Sequence, residues 1–121
     1  MTKISIIIPT HNESQHLPLL LSDLSISYEE AEIIIVDCNS EDKTREIGNL
    51  YGSKIYKSKE KNRGLQLNIG AKNAKGMWFI FIHADSRLRK GWLKKVKSLI
   101  KYNENFVYFF KFKINNKMIF Y

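Results

Sequence analysis

Cys38 is the only cysteine, so no disulfide can close within this chain and a cysteine-based metal site has no second thiolate to use. That usage fits a reducing, cytoplasmic compartment. No apolar stretch approaches the roughly 18 residues of a membrane span. The run behind Lys3 stops at Pro9, which is too short for the core of a signal peptide. The phosphate-cradling glycine motifs are missing as well. The six glycines never fall into G-x-G-x-x-G. Gly70 and Gly76 are one residue too far apart for a P-loop, and Met77 follows where a lysine is needed. A dinucleotide enzyme or P-loop ATPase is therefore disfavoured, and a diphosphate bound here would need a cation. Acidic residues also run out: after Asp85 the only one is Glu104. Internal repeats and low-complexity linkers are absent.

What is present suffices for one domain over residues 1–121, with 44% hydrophobic residues to build a core. The net charge of +8 points to an anionic partner, although lysines scattered over every surface by compositional bias read equally well.

Residues 3–8 read as a buried strand stopped by Pro9. Leu17, Leu20, Leu21 and Leu24 fall at i, i+3, i+4, i+7, one face of a helix with Pro18 near its start. Residues 32–37 form a second buried strand ending in a carboxylate, and residues 39–42 supply capping groups for a helix over 43–50 closed by Gly52. Residues 54–57 are a short strand. Residues from Arg63 to before Gly76 are a helix with Leu65, Ile69 and Lys72 aligned. The unbroken apolar run 77–82, MWFIFI, reads as a central strand buried on both faces. A helix after Gly91 buries Trp92, Val96, Leu99 and Ile100. Residues 106–114 form a last strand whose Phe110, Phe112 and Ile114 face inward, with Asn115-Asn116 as a turn and 117–121 as a hairpin partner or a frayed end.

Strands alternating with helices argue for an α/β fold with a mostly parallel sheet and helices on both faces. Ligands of such sheets bind beyond the carboxyl ends of the strands. Three exits therefore matter: residues 9–13, 37–42 and 83–86. In the last, His83 and Asp85 are two apart, which on an extended chain puts both on one side. They form a metal- or phosphate-facing pair, or else a polar strand end with Asp85 capping the next helix. His11 and His16 read as solvated loop and helix-start residues, and Cys38 as a small filler.

These exits carry a resemblance. ISIIIPTHNE (residues 4–13) resembles the opening strand and loop of the family 2 glycosyltransferases. VDCNSEDKT (36–44) resembles their second motif, V-D-x-x-S-x-D-x-T. RGLQLNIG (63–70) resembles their arginine–asparagine helix, and His83-Ala84-Asp85-Ser86 falls where their D-x-D metal motif lies. The arginine-glycine-x-glutamine and His-Ala-Asp variants are most similar to a bacterial subset associated with radical-SAM or selenium-domain proteins. Four motifs in the right order are specific where any one is weak.

The resemblance implies a Rossmann-like GT-A fold that binds a nucleotide-diphosphate sugar, with a UDP-sugar favoured, and transfers the sugar with inversion to an unknown acceptor. By position, Pro9, Thr10 and Glu13 would line the nucleoside pocket and Asp37 would hydrogen-bond the base. Ser40 and Asp42 sit in the second-motif loop. Arg63, Gln66 and Asn68 would lie near ribose and diphosphate. Asp85 would bind Mg²⁺ or Mn²⁺. His83 replaces the first acidic residue of the metal motif, as a second ligand, as a group that orients one, or as a neutral strand-end residue. Family domains are much longer, so the chain reads as the nucleotide-sugar-binding N-terminal half, incomplete at the C-terminus and without the general base. The alternatives are a non-catalytic nucleotide-sugar-binding fragment and, with less support, a basic nucleic-acid or membrane-surface binder. Nucleic acid is not the expected partner. Self-association through the exposed C-terminal strand and contact with the inner face of the membrane are further expectations.

Overall fold

A computed structural model describes residues 3–102 and, as backbone alone, residues 112–114 and 117–119; of Tyr102 too only the backbone is described. The described order is β1 (Ile4–Thr10), α1 (Leu17–Leu24), β2 (Ala31–Asp37), α2 (Thr44–Leu50), β3 (Lys54–Lys57), α3 (Arg63–Asn73), β4 (Trp78–Phe81), α4 (Trp92–Tyr102), β5 (Phe112–Ile114) and β6 (Lys117–Ile119). The first four strands form an all-parallel sheet in the order β3-β2-β1-β4. β5 and β6 pair antiparallel in a second, two-stranded sheet, as the reading of 117–121 as a hairpin partner requires. Residues 106–111, and the inward-facing side chains expected at 110, 112 and 114, lie outside the described residues.

Side-chain alternation splits the core into two layers. Ile4, Ile6 and Ile8 of β1 join Ile33 and Ile35 of β2 beneath α1, α2 and α4. Ile7, Ile34 and Val36 point the other way, against α3. The leucine stripe of α1 is buried throughout, and each of its four leucines is at most 1% exposed.

Four expectations are corrected. β1 does not stop at Pro9 but continues through it to Thr10. The carbonyl of Ile7 bonds toward β4 and that of Thr10 toward β2, so by alternation Pro9 faces the β4 side. β4 has already ended there, at Phe81, and no ladder donor is lost. Second, among the described residues the apolar run 77–82 is not a central strand buried on both faces. Among the described residues β4 lies at the sheet edge, and Met77, Phe79 and Phe81 are exposed. An uninterrupted apolar run does not tell an edge from a centre. Third, of the aligned Leu65, Ile69 and Lys72 only Ile69 packs on the core, beside Leu67 and Ala71, while Leu65 and Lys72 are exposed and the buried residues of α3 are Gln66 and Gly70, one turn apart. A Cβ on Gly70 would overlap Ile7 Cγ2, so glycine lets the helix approach the sheet closely. A glutamine and a glycine hold the most buried positions, and the apolar Leu67, Ile69 and Ala71 beside them are only partly buried, so the stripe is weak. Fourth, among the described residues the last strand, of which 112–114 are described, pairs with β6 and not with the main sheet.

Candidate functional site

β2 and β3 lie on one side of β1 and β4 on the other. The chain therefore reverses its direction of growth between β1 and β4, where parallel sheets open a crevice at their carboxyl ends. A cavity of about 510 Å³ occupies this position. It is lined by Pro9 and Thr10 at the end of β1, His11 and Glu13 after it, Lys61, Arg63 and Gln66 at the start of α3, and His83, Ala84 and Asp85 after β4. Its size is that of an ordinary small-molecule site.

Seven of the residues assigned from sequence meet here: Pro9, Thr10, Glu13, Arg63, Gln66, His83 and Asp85. Four do not line it: Asp37, Ser40, Asp42 and Asn68. Asn68 is exposed, and two residues from Gln66 it sits about 200° around α3. The other three build the rim. Asp37 is fully buried, and its Oδ1 accepts from Thr10 Oγ1 at 2.6 Å and Ser40 Oγ at 2.5 Å. Its Oδ2 accepts from the Ser40 amide at 3.0 Å and faces Arg45 at 3.7 Å. A base would have to compete with these partners for the carboxylate.

Asp42 binds the Ser14 amide at 3.1 Å and the amide and hydroxyl of Thr44. Partial burial opposes its ionisation. The hydrogen bonds from Thr44 and Ser14 outweigh that and hold its pKa at about 2. Thr44 Oγ1 in turn accepts from the Glu13 amide at 2.9 Å, and Ser40 Oγ from the Asn12 amide at 2.8 Å. The second-motif loop thus fixes the backbone of the first, from which Glu13 reaches the cavity. Asn12 and Asn39, with φ of 52° and 46°, make the left-handed bends of the two loops.

Gln66 is buried, and its amide nitrogen donates to the carbonyls of Val36 at 2.9 Å and Thr10 at 3.1 Å. It ties α3 to the exits of both β1 and β2. Asn62 caps the same helix by accepting from the Leu65 amide at 3.1 Å, which leaves Lys61 and Arg63 exposed at the mouth.

Residues 83–86 are not extended. The Ser86 amide donates to the His83 carbonyl at 3.0 Å, closing a turn. Buried Ala84 anchors that turn in the core, and Asp85 is exposed. His83 and Asp85 do share the cavity, but through the turn and not through strand alternation. Downstream, the Arg87 guanidinium grips the Asp23 carboxylate of α1 through two hydrogen bonds of 2.7 and 3.0 Å, and the Leu88 amide adds a third. The Arg87 bond leads the effects that lower the Asp23 pKa. No group of three or more His, Cys, Asp or Glu side chains gathers to hold a metal among the described residues.

His11 and Lys61 are the residues that sequence reasoning missed. His11 is half-buried, not a solvated loop residue, and its Nδ1 lies 2.6 Å from the Cys38 carbonyl. Nδ1 therefore donates to that carbonyl, and the side-chain nitrogen of Asn12 lies 3.4 Å from Nε2. Its signal was its place directly after a strand exit.

Residues 5–120 match the glycosyl transferase family 2 domain. An uncharacterised glycosyltransferase of Rickettsia typhi is 39% identical over 85 residues, covering 68% of this chain and 27% of that protein. The poly(ribitol-phosphate) β-N-acetylglucosaminyltransferase TarS of Staphylococcus aureus is 28% identical over 93% of this chain and 21% of its own length. The crystal structure of TarS residues 1–349 superposes with a TM-score of 0.76 at 28% identity, covering 83% of this chain and 32% of that one. Glucosyl-3-phosphoglycerate synthase of Mycobacterium tuberculosis, crystallised with Mn²⁺ and UDP, shares the fold at a TM-score of 0.60 and 19% identity, over 71% of this chain and 36% of that one. The chain spans about a quarter of the length of these curated relatives. With its parallel sheet, its crevice at the point of reversal and its matched domain, the chain belongs to glycosyl transferase family 2.

Proposed function

We propose that residues 1–121 act as one domain, the part of an inverting glycosyltransferase that holds a nucleotide-diphosphate sugar, with UDP as the favoured nucleotide. The carrying observation is that one cavity at the reversal point gathers residues from the first, third and fourth motifs, while the second motif braces the first. Lys61 and Arg63 bring positive charge to its mouth, as a diphosphate needs. Asp37, Ser40 and Asp42 then act as positioning residues for the loop that carries Glu13, and Gln66 positions α3.

Asp85 with His83 beside it suits Mg²⁺ or Mn²⁺. One exposed carboxylate and one imidazole leave most of the ion's shell to diphosphate oxygens and water, which is how such ions are commonly held. When bound, the ion would offset the charge that develops on the departing diphosphate. The Mn²⁺ and UDP in glucosyl-3-phosphoglycerate synthase offer a precedent in the same fold. The Arg63-Gly64-Leu65-Gln66 and His83-Ala84-Asp85 sequences support placement near the radical-SAM-associated subset. A cytoplasmic location and self-association through β5 belong to the same reading. Sedimentation that finds only monomer over a concentration series would remove the latter.

A second reading, binding without transfer, is favoured by the cavity's carboxylates. Among the described residues these are Glu13 and Asp85, and Glu13 already faces His16 at 3.3 Å. Calorimetric titration with UDP and UDP-sugars, with Mn²⁺ and then with chelator, tests the site. Binding should require the ion, and Asp85→Asn should abolish that requirement. If Asp85→Asn left Mn²⁺-dependent affinity unchanged, the ion would sit elsewhere. Release of UDP on addition of candidate acceptors separates transfer from binding alone.

A further inference from the structure

The cavity opens at the carboxyl ends of the strands. The opposite pole, where helices lead back into strands, carries a different surface. Three connections meet there: α1 to β2 with Ile26 and Tyr28, α2 to β3 with Leu50 as the last residue of α2, and α3 to β4 with Met77. Leu50, Met77 and Ile26 are 84, 72 and 67% exposed, more than any other large hydrophobic side chain among the described residues. Each belongs to a separate connection, and packing of the core requires none of them to face outward.

Lysines lie at the same pole. Lys3, Lys94, Lys97 and Lys101 line a groove of about 550 Å³ together with Ile4 and Ile100. On α4, positions 94, 97 and 101 form one stripe beside Leu93, Val96 and Ile100, which pack on the core. Lys75 is exposed just before Met77. Glu30 is taken up by Lys97 at 2.7 Å and Glu32 by Lys54 at 2.9 Å. Lys3, Lys75, Lys94 and Lys101 have no ion pair among the described residues, against Glu29 as the acid of this pole without one.

We propose that this pole docks on an anionic lipid surface, with Ile26, Leu50 and Met77 entering the boundary between headgroups and acyl chains and the unpaired lysines lying at phosphate level. Aliphatic tips and unpaired lysine ammoniums at one pole suit that layered chemistry. A nucleic acid would make no use of separate aliphatic tips, and of the exposed large side chains at this pole only Tyr28 could stack on a base. The four strand starts lie about 4.8 Å apart, so the tips spread over roughly 14 Å, as contact with a plane requires. β1, with its seven residues, puts roughly 23 Å between this pole and the cavity, which then faces water. The inference stands independently of what the cavity binds.

Co-sedimentation with phosphatidylcholine vesicles, with and without phosphatidylglycerol, tests it. Binding should need the anionic lipid and weaken with salt. Lys94→Gln with Lys101→Gln should weaken it about 25-fold, or about fivefold per lysine. Leu50→Ser with Met77→Ser should weaken it at least about tenfold at unchanged charge. All four side chains are exposed, and circular dichroism checks that the variants fold. The proposal is overturned by no binding to anionic vesicles or by equal binding to neutral ones. It is also overturned if the serine pair has no effect, which would mark a general polyanion surface instead.

Discussion

Replacing Glu32 with glutamine should cost about 3 kcal/mol of folding stability at neutral pH and almost nothing in strong acid. Glu32 lies at the amino end of β2, and its Oε2 accepts from Ser5 Oγ and from the Lys75 amide, each at 2.5 Å. Its Oε1 accepts from Lys54 Nζ at 2.9 Å. Ser5 Oγ accepts in turn from the Gly76 amide at 2.8 Å, so one carboxylate joins β1, β2, β3 and the approach to β4. Burial opposes the charge. The hydrogen bonds from Ser5, Lys54 and Lys75 outweigh it and lower the pKa from 4.5 to about 2. A carboxyl depressed by that amount stabilises the fold by about 3 kcal/mol. Because the folded pKa is the lower one, this stability is fully present above pH 4.5 and is lost as pH falls toward 2. Glutamine keeps the shape but sets an amide donor against other donors. Urea unfolding of both proteins from pH 7 downward should show a gap of about 3 kcal/mol at pH 7 that falls below half by pH 3. A gap that stays constant over this range would refute the reasoning, because the stabilisation would not then depend on the ionised form.

Two further outcomes concern the frame of the cavity. Gly70→Ala should destabilise by about 1–3 kcal/mol, although alanine is the better helix former, because the new Cβ overlaps the fully buried Ile7 and meets Val36 Cγ2 at 3.3 Å. Thermal unfolding reads this, and a stabilised variant would show that α3 can shift freely. Arg87→Ala should lower the melting temperature only modestly, since the guanidinium is exposed although the Asp23 carboxylate that it holds is mostly buried. It should nonetheless speed amide exchange at Ser86, whose N–H closes the turn bearing Asp85, and unchanged exchange there would mean the turn holds itself.

The strands and α1 were legible because burial writes itself in apolar runs and in the i, i+3, i+4 stripe of Leu17 to Leu24. Helices that pack through other chemistry were not. The most buried positions of α3, beside the partly buried Leu67, Ile69 and Ala71, are a glycine chosen for its lack of a side chain and a glutamine chosen for two backbone carbonyls. Neither choice registers as hydrophobic. The sheet order was equally hidden, because the run 77–82 is as apolar at an edge as it would be in the centre.

The polar residues at the strand exits fall into two groups that sequence could not separate. Thr10, Glu13, Asp37, Ser40, Asp42 and Asp85 all read alike, as oxygen-bearing side chains next to a buried strand. The structure divides them by where the oxygen points. Asp37 and Asp42 spend their lone pairs on neighbouring hydroxyls and amides, and Asp85, anchored through Ala84, is left exposed. A carboxylate already holding such donors is a poor candidate for a new ligand, because any ligand must replace them in a buried setting. An exposed carboxylate on an anchored turn has no such debt. Substitution at Asp37 should therefore act through the loops that it ties together, and substitution at Asp85 through the ligand alone. That difference gives Asp37→Asn a lowered melting temperature and Asp85→Asn an unchanged one, whatever either does to nucleotide binding.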